Sequence, residues 1–166
     1  NFKMNHKKIL LNFAVVLLIF FTDRFSKIYI LNLAELNNKV DIYLSPFLNF
    51  YLIWNKGIAF GLFSLNDELV YNFLTILISI IVFVILIMII KLRGFQRYSL
   101  LMVFGGSLGN LYDRIYYSAV PDFIDFHIGG FHWFIFNVAD IFITIGIICL
   151  IYAEIFTNKD ENEKFN

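Results

Sequence analysis

The sequence has 166 residues, of which 13 are basic and 13 acidic, giving a formal net charge of zero; that balance offers a nucleic acid no electrostatic hold. Hydrophobic residues make up 60%, with 21 phenylalanines and a mean hydropathy of +0.74, above the ~45–50% of soluble domains, so lipid is the expected solvent. The one cysteine, Cys149, excludes an internal disulfide, and without a Cys/His cluster the sequence indicates neither a structural zinc nor a redox pair. No metal and no cofactor are expected.

A spanning helix takes ~20 mostly apolar residues, and four stretches qualify. The first runs from Ile9 to about Leu31. Its last third carries Asp23-Arg24-Phe25-Ser26-Lys27 in place of a small-residue cleavage site, so it reads as a retained anchor and not as a removed signal peptide. Asp23 and Lys27 stand four apart and can pair on one helix face. The outer segment 32–68 is too long for a bare loop. Within it, Ile42 to Asn55 is rich in aromatic and β-branched residues, broken by Ser45-Pro46, and reads as one or two strands lying against the membrane.

The second helix, Leu69 to Ile90, is the most uniformly apolar; Asn72, Thr75 and Ser79 form a weak polar stripe on it. The third, Tyr98 to about Tyr117, places Gly106, Asn110, Asp113 and Tyr117 on one face, with Arg114 beside Asp113. Asp113–Arg114 reads as a structural ion pair, and Gly105-x-x-x-Gly109 as a close-packing pattern. Gly105-Gly106-Ser107-Leu108-Gly109 matches G-x-S-x-G in letters, but a nucleophile elbow needs a strand-turn-helix and Ser107 lies inside an apolar helix. The segment 118–132 is read as a second outer segment, containing Asp122 and Asp125. His127, beside Phe126, and His132, between Phe131 and Trp133, have ligand or base chemistry but read as interfacial residues. The fourth helix, Trp133 to Phe156, carries Asn137, Asp140 and Thr144 on one face, which puts Asp140 about 10 Å below the outer interface at 1.5 Å per residue. Residues 158–166 read as a disordered tail.

Lys3, Lys7 and Lys8 lead the chain, and Lys91, Arg93 and Arg97 fill the second loop; by the positive-inside rule both termini are cytoplasmic. The expectation is a single domain over 1–157: an all-α membrane protein with four transmembrane helices and a small extracytoplasmic β element, or cradle, between helices 1 and 2. Ionised groups inside a bilayer are costly and should face partners or a cavity. Asp122 and Asp140 can meet at the outer edge of the membrane. Two carboxylates within ~4 Å repel by ~4 kcal/mol at an effective dielectric near 20, so they share one proton, and one can draw a proton from water while its neutral partner polarises a carbonyl.

At these residues the sequence resembles the lipoprotein signal peptidase (signal peptidase II) family, from about Thr22 to Ile145. The family's blocks match, in order, Asp23-Arg24-Phe25-Ser26-Lys27, Asn55-Lys56-Gly57-Ile58-Ala59-Phe60-Gly61, Gly109-Asn110-Leu111-Tyr112-Asp113-Arg114, Asp122-Phe123 and Phe136-Asn137-Val138-Ala139-Asp140. The resemblance implies a bacterial inner-membrane aspartic endopeptidase that removes signal peptides just before a diacylglyceryl-modified cysteine. It implies Asp122 and Asp140 as the catalytic pair and Asn55, Asn110, Arg114 and Asn137 around the substrate. Asp23, Lys27, Asp113 and Gly57 support the site. The implied partners are lipid-modified prolipoproteins, membrane lipids and cyclic-peptide inhibitors of the globomycin type, with no nucleic acid, and the chain is expected to be a monomer. Pro121 departs from the aliphatic residue that commonly precedes the catalytic Asp. The readings that compete are a proton-coupled transporter, an assembly subunit whose stripes merely lock helices, and a serine intramembrane protease acting through Ser107.

Overall fold

The computed structural model of the chain describes residues 6–57 and 68–162, with side chains described as far as residue 156. In chain order the elements are α1 (His6–Asn37), β1 (Asp41–Ser45), β2 (Leu48–Asn55), α2 (Glu68–Lys91), α3 (Gly94–Tyr117), β3 (Val120–Ile128), β4 (Phe131–Phe136) and α4 (Val138–Asn162). α1, α2 and α4 as far as Phe156 are long and apolar enough to cross a membrane. Large apolar side chains such as Leu18, Phe25, Phe73, Phe83 and Ile148 point outward from these helices, the inverse of a water-soluble bundle.

α3 differs in kind. It packs against α1, α2 and α4 and buries Arg97, Ser99, Asp113 and Arg114 along with three glycines. A helix enclosed by its neighbours on several sides can be polar because lipid sees little of it. Its glycines set the spacing. A Cβ at Gly105 would lie 3.0 Å from the Ile19 side chain on α1, and one at Gly106 only 2.5 Å from the Ala139 carbonyl oxygen on α4. The close-packing reading of this stretch therefore holds, with successive residues serving different neighbours. Gly106→Ala should push α4 away from α3 and cost about 1–3 kcal/mol, read as a lower thermal midpoint in detergent; an unchanged midpoint would remove this contact from the account.

α1 is longer than the sequence reading placed it, 32 residues or about 48 Å against a hydrocarbon core of ~30 Å. The excess supports the sheet. Ile30 packs with Val40 and Phe123, flanked by Leu33, Phe50 and Leu52, so the C-terminal end of α1 acts as a post beneath the strands. At the other end Ile89, Leu100 and Leu101 form a second cluster with Val16 and Leu150.

The sheet is antiparallel in the order β1-β2-β3-β4. The two strands read from Ile42 to Asn55 are present and turn at Pro46-Phe47. Three sequence expectations need correction. First, the β element is not confined to the connection between α1 and α2: Val120–Ile128 and Phe131–Phe136 form a hairpin that joins β2. Gly129, at φ +59, takes the left-handed turn conformation that glycine tolerates. Second, Trp133 to Phe136 belongs to β4, so α4 begins at Val138 and Asp140 sits in its first turn. Third, helix continues to Asn162, into the stretch expected to be a disordered tail. The polar stripe of α2 is also spent locally, since Thr75 and Ser79 donate to the carbonyls of Tyr71 and Thr75 in their own helix.

Pro121 fits its strand. It pairs with Trp54 of β2, in the part of β3 before the β4 ladder begins at Ile124. β4 does not pair with β3 at that position, where a residue without an N–H is tolerated.

Candidate active site

The polar residues of the helices meet at the end of the bundle beneath the sheet, in two groups. The first is a closed ion cluster between α1 and α3. Lys27 Nζ donates to Asp23 Oδ2 at 2.8 Å, Asp113 Oδ2 at 2.7 Å and Asn110 Oδ1 at 3.0 Å. Arg24 Nη1 pairs with Asp113 Oδ1 at 2.6 Å, its guanidinium lying over the Tyr112 ring. Two cations face two carboxylates, and Lys27, Asp23 and Asp113 are fully buried. Buried charge is tolerated when its partners are complete; the three protons of the Lys27 ammonium are all used, whereas Arg24 Nε and Nη2 are buried without a hydrogen-bond partner. Gly109 makes this approach possible, because a Cβ there would lie 2.5 Å from Asp23 Oδ2.

Asp113 therefore pairs with Lys27 and Arg24, and the expected Asp113–Arg114 pair does not form. Neighbours on a helix point about 100° apart, and Arg114 turns the other way. Its guanidinium donates through Nη2 to the Gly57 carbonyl and lies near the Tyr71 ring, while Tyr71 Oη donates to the Arg114 carbonyl at 3.2 Å. Arg114 thus ties α3 to the end of β2. Gly57 also donates its N–H to Asn55 Oδ1 at 2.8 Å. Residues 58–61 of that sequence block lie outside the described residues.

The second group is Asp122 and Asp140. The start of α4 explains why Asn137 and Asp140 stand three apart. Asn137 Oδ1 accepts from the Asp140 N–H, and Asp140 Oδ2 accepts from the Asn137 N–H, each at 3.2 Å. This is a reciprocal capping box, and Asp23 Oδ1 takes the Ala139 N–H at 3.0 Å from the far side of the same helix end. Both acids also profit from the positive end of the α4 dipole. Asp140 Oδ1 accepts from Asn110 Nδ2 at 2.8 Å. Asp122, delivered by β3, accepts from Asn55 Nδ2 at 2.9 Å and from Asn137 Nδ2 at 2.6 Å.

Each of the three amides has its oxygen already engaged: Asn55 by Gly57 N–H, Asn110 by Lys27 and Asn137 by Asp140 N–H. Their NH₂ groups are consequently aimed at carboxylates. Asp23 and Asp113 face cations, whereas the described side-chain partners of Asp122 and Asp140 are amides. Burial above all, and then the Asp140 carboxylate, pushes Asp122 up to about 6, against the lowering effect of Asn137 and Asn55.

Asp122 and Asp140 line one cavity of about 270 Å³ with Asn55, Asn110, Arg114 and Asn137 on its polar side and Ile78, Ile143 and Ile147 on its apolar side. Ser107 also borders it, but in mid-helix and without the strand-turn-helix that exposes a nucleophilic serine. Asp125 is three residues from Asp122 and so projects from the other face of β3, where it bonds His132. All ten residues that sequence reasoning assigned to the site or its support thus lie in the ion cluster, in the cavity or against Arg114. What sequence reasoning missed is Tyr71, Arg24 and the capping role of Asp23, and Arg24 was visible beside Asp23.

A family model described as signal peptidase (SPase) II matches residues 15–156. The chain belongs to the signal peptidase II family. A lipoprotein signal peptidase of Pelagibacter ubique is 57% identical over 163 residues, covering 98% of both chains. One from Francisella tularensis subsp. novicida is 39% identical, covering 89% of this chain and 92% of its own. Two solved structures titled as bacterial membrane enzymes superpose with TM-scores of 0.71 and 0.72 at 27% and 30% identity. They cover 92% and 87% of this chain and 92% of each of their own. Family membership makes this chain a protease of the membrane, a lipoprotein signal peptidase.

Proposed function

We propose that the chain cleaves diacylglyceryl-modified prolipoproteins just before the lipidated cysteine, with Asp122 and Asp140 as an aspartic dyad. The observation that carries this reading is the pair of buried carboxylates in one cavity, whose side-chain hydrogen-bond partners among the described residues are amides. In the singly protonated pair, one carboxylate takes a proton from water as the oxygen attacks the scissile carbonyl, and the protonated partner hydrogen-bonds the developing oxyanion. The departing amine then takes a proton back. No metal ion is required by these steps.

The cavity suits such a substrate. Its apolar wall comes from α2 and α4 through Ile78, Ile143 and Ile147. These helices both pack on α3 and barely on each other, leaving a lateral opening for an apolar signal helix. Asn55, Asn110 and Asn137 face the extended chain and Arg114 takes a carbonyl near Gly57. Lys27, Asp23, Asp113 and Gly57 hold the frame.

In this reading α3 is the fourth span, 24 residues or about 36 Å, completing a single domain over 1–157. The chain lies in the bacterial inner membrane with both termini cytoplasmic and the sheet outside, and works as a monomer. Inhibitory cyclic peptides of the globomycin type occupy the same cavity. The test is conversion of a diacylglyceryl-modified prolipoprotein, followed by gel shift, for wild type, Asp122→Asn, Asp140→Asn and Ser107→Ala. Ser107→Ala should keep its rate within about threefold, as expected where the serine only borders the site. Its abolition would move the chemistry to a serine mechanism.

A further inference from the structure

The β3–β4 hairpin carries a second cluster of chemistry-bearing side chains, on the face of β3 opposite Asp122. Asp125 and His127 are two apart on one strand and so share a face. Across the ladder Asp125 pairs with Ile135 and Phe126 with Phe134, but His127 pairs with His132. The register has slipped by one residue, with Trp133 as the extra residue in β4. In an unbroken ladder Trp133 would stand opposite His127. The bulge puts His132 there, on the Asp125 face, which is how bulges re-aim side chains.

The result is three ligand-type groups whose donor atoms all lie within 4.8 Å of one another. His132 Nδ1 lies 2.7 Å from Asp125 Oδ2, and His127 Nδ1 lies 3.8 Å from that same oxygen. The two imidazoles stack with centroids 5.2 Å apart.

A plain hydrogen-bond reading leaves this cluster incomplete. His127 is 7% exposed, yet its Nδ1 is buried without a hydrogen-bond partner. Asn49 stands opposite Asp125 on the other neighbouring strand, and its Oδ1 is likewise buried without a partner. Buried polar atoms that bond nothing are costly. An electron-pair acceptor at the centre of the cluster would satisfy the imidazole, and Asn49, the cross-strand partner of Asp125, is on the same face of the sheet.

We propose that Asp125, His127 and His132 form a site for a divalent transition-metal ion of the zinc class, which clips the β3–β4 hairpin, with Asn49 Oδ1 as the neighbouring carbonyl donor. Two imidazole nitrogens and one carboxylate oxygen are a donor set for such ions and not for Mg²⁺ or Ca²⁺, which take oxygen ligands. A tetrahedral shell with bonds near ~2.0–2.1 Å brings ligand atoms to about 3.3 Å apart. The group that must shift is His132, which stands closer to Asp125 Oδ2 than two ligands of one ion do; its side chain is 56% exposed, while Asp125 and His127 are buried on the strand. The ion would lock the register of the strand that delivers Asp122, three residues upstream.

The experiment uses the full chain without an affinity tag, stripped of metal in detergent micelles and titrated with Zn²⁺ against a chromophoric chelator. One ion per chain is expected. His132→Ala and Asp125→Asn should each weaken binding at least about tenfold, whereas His6→Ala, at the far end of α1, should leave it unchanged. His132 is exposed enough that its replacement leaves the fold intact, so the test does not depend on a His127 variant folding. Amide exchange across 131–136 should slow on adding Zn²⁺ in wild type and not in His132→Ala. Equal affinity of wild type and His132→Ala, loss of binding in His6→Ala, or no stoichiometric binding at micromolar Zn²⁺ would each overturn the proposal.

Discussion

Asp122→Asn and Asp140→Asn should each lower the rate of prolipoprotein cleavage by at least about 10³-fold, the range expected when a positioned acid or base is removed. Size is nearly unchanged by either substitution, so the variants should remain extractable and fold to the same topology. Asp122 adds a second readout. Its carboxyl is raised from 3.8 to about 6 in the folded chain, so between those values the folded state binds more protons than the unfolded state. Stability from this group is therefore full below about pH 4 and is lost as the pH rises through about 6, a decline on the order of 3 kcal/mol. Unfolding measured from pH 4 to pH 8 should show a steeper decline in wild type than in Asp122→Asn. Comparing slopes cancels whatever the new amide costs at a single pH. A variant that keeps turnover would end the dyad assignment, and one that keeps the slope would place the titration elsewhere.

Lys27→Met should be the most destabilising single change in the helical core, at about 3–5 kcal/mol. The side chain fits in length, but the ammonium is the shared donor for Asp23, Asp113 and Asn110. Arg24 remains with Asp113 at 2.6 Å. Asp23 is left with Arg24 Nη2 at 3.9 Å and the Ala139 N–H, too little for a buried anion. The loss also reaches catalysis, because Asn110 Oδ1 no longer has a donor to hold its NH₂ against Asp140. Lys27→Arg should rescue neither property, since the site around Lys27 is closed and a guanidinium is larger. Denaturation in mixed micelles measures the first effect and cleavage rate the second. A midpoint shift equivalent to less than about 1 kcal/mol would show that the cluster is dispensable.

Much of this site could be read in the sequence because the bilayer makes polar residues costly. Asn110, Asp113, Asn137 and Asp140 were conspicuous among apolar neighbours, and their spacings of three and four put them on shared faces. Two errors have definite causes. Adjacency in sequence suggested Asp113–Arg114, although consecutive helical residues diverge; the spatial partners came from α1, eighty-six positions away in the case of Lys27. The start of α4 was misplaced because Trp133 to Phe136 is as apolar as a helix start, so a strand was counted as part of the helix. Gly129-Gly130 between two aromatic runs was the turn signal that could have corrected it. The bulge at Trp133, which decides what faces Asp125, leaves no mark in composition or period.

The pinned amides have a consequence for how this chain can change over generations. Asn55 and Asn137 present hydrogens to Asp122 and cannot be turned around without breaking the bonds that hold their oxygens. An amide at 122 would set donor against donor, so no one of the three positions can switch its polarity alone. Mutational drift at 55, 122 and 137 should therefore be coupled: single replacements are penalised together, and only concerted replacements are tolerated. In a library randomised at these three codons, survivors should be rare and correlated, while codons for the lipid-facing Leu18 or Phe73 vary independently.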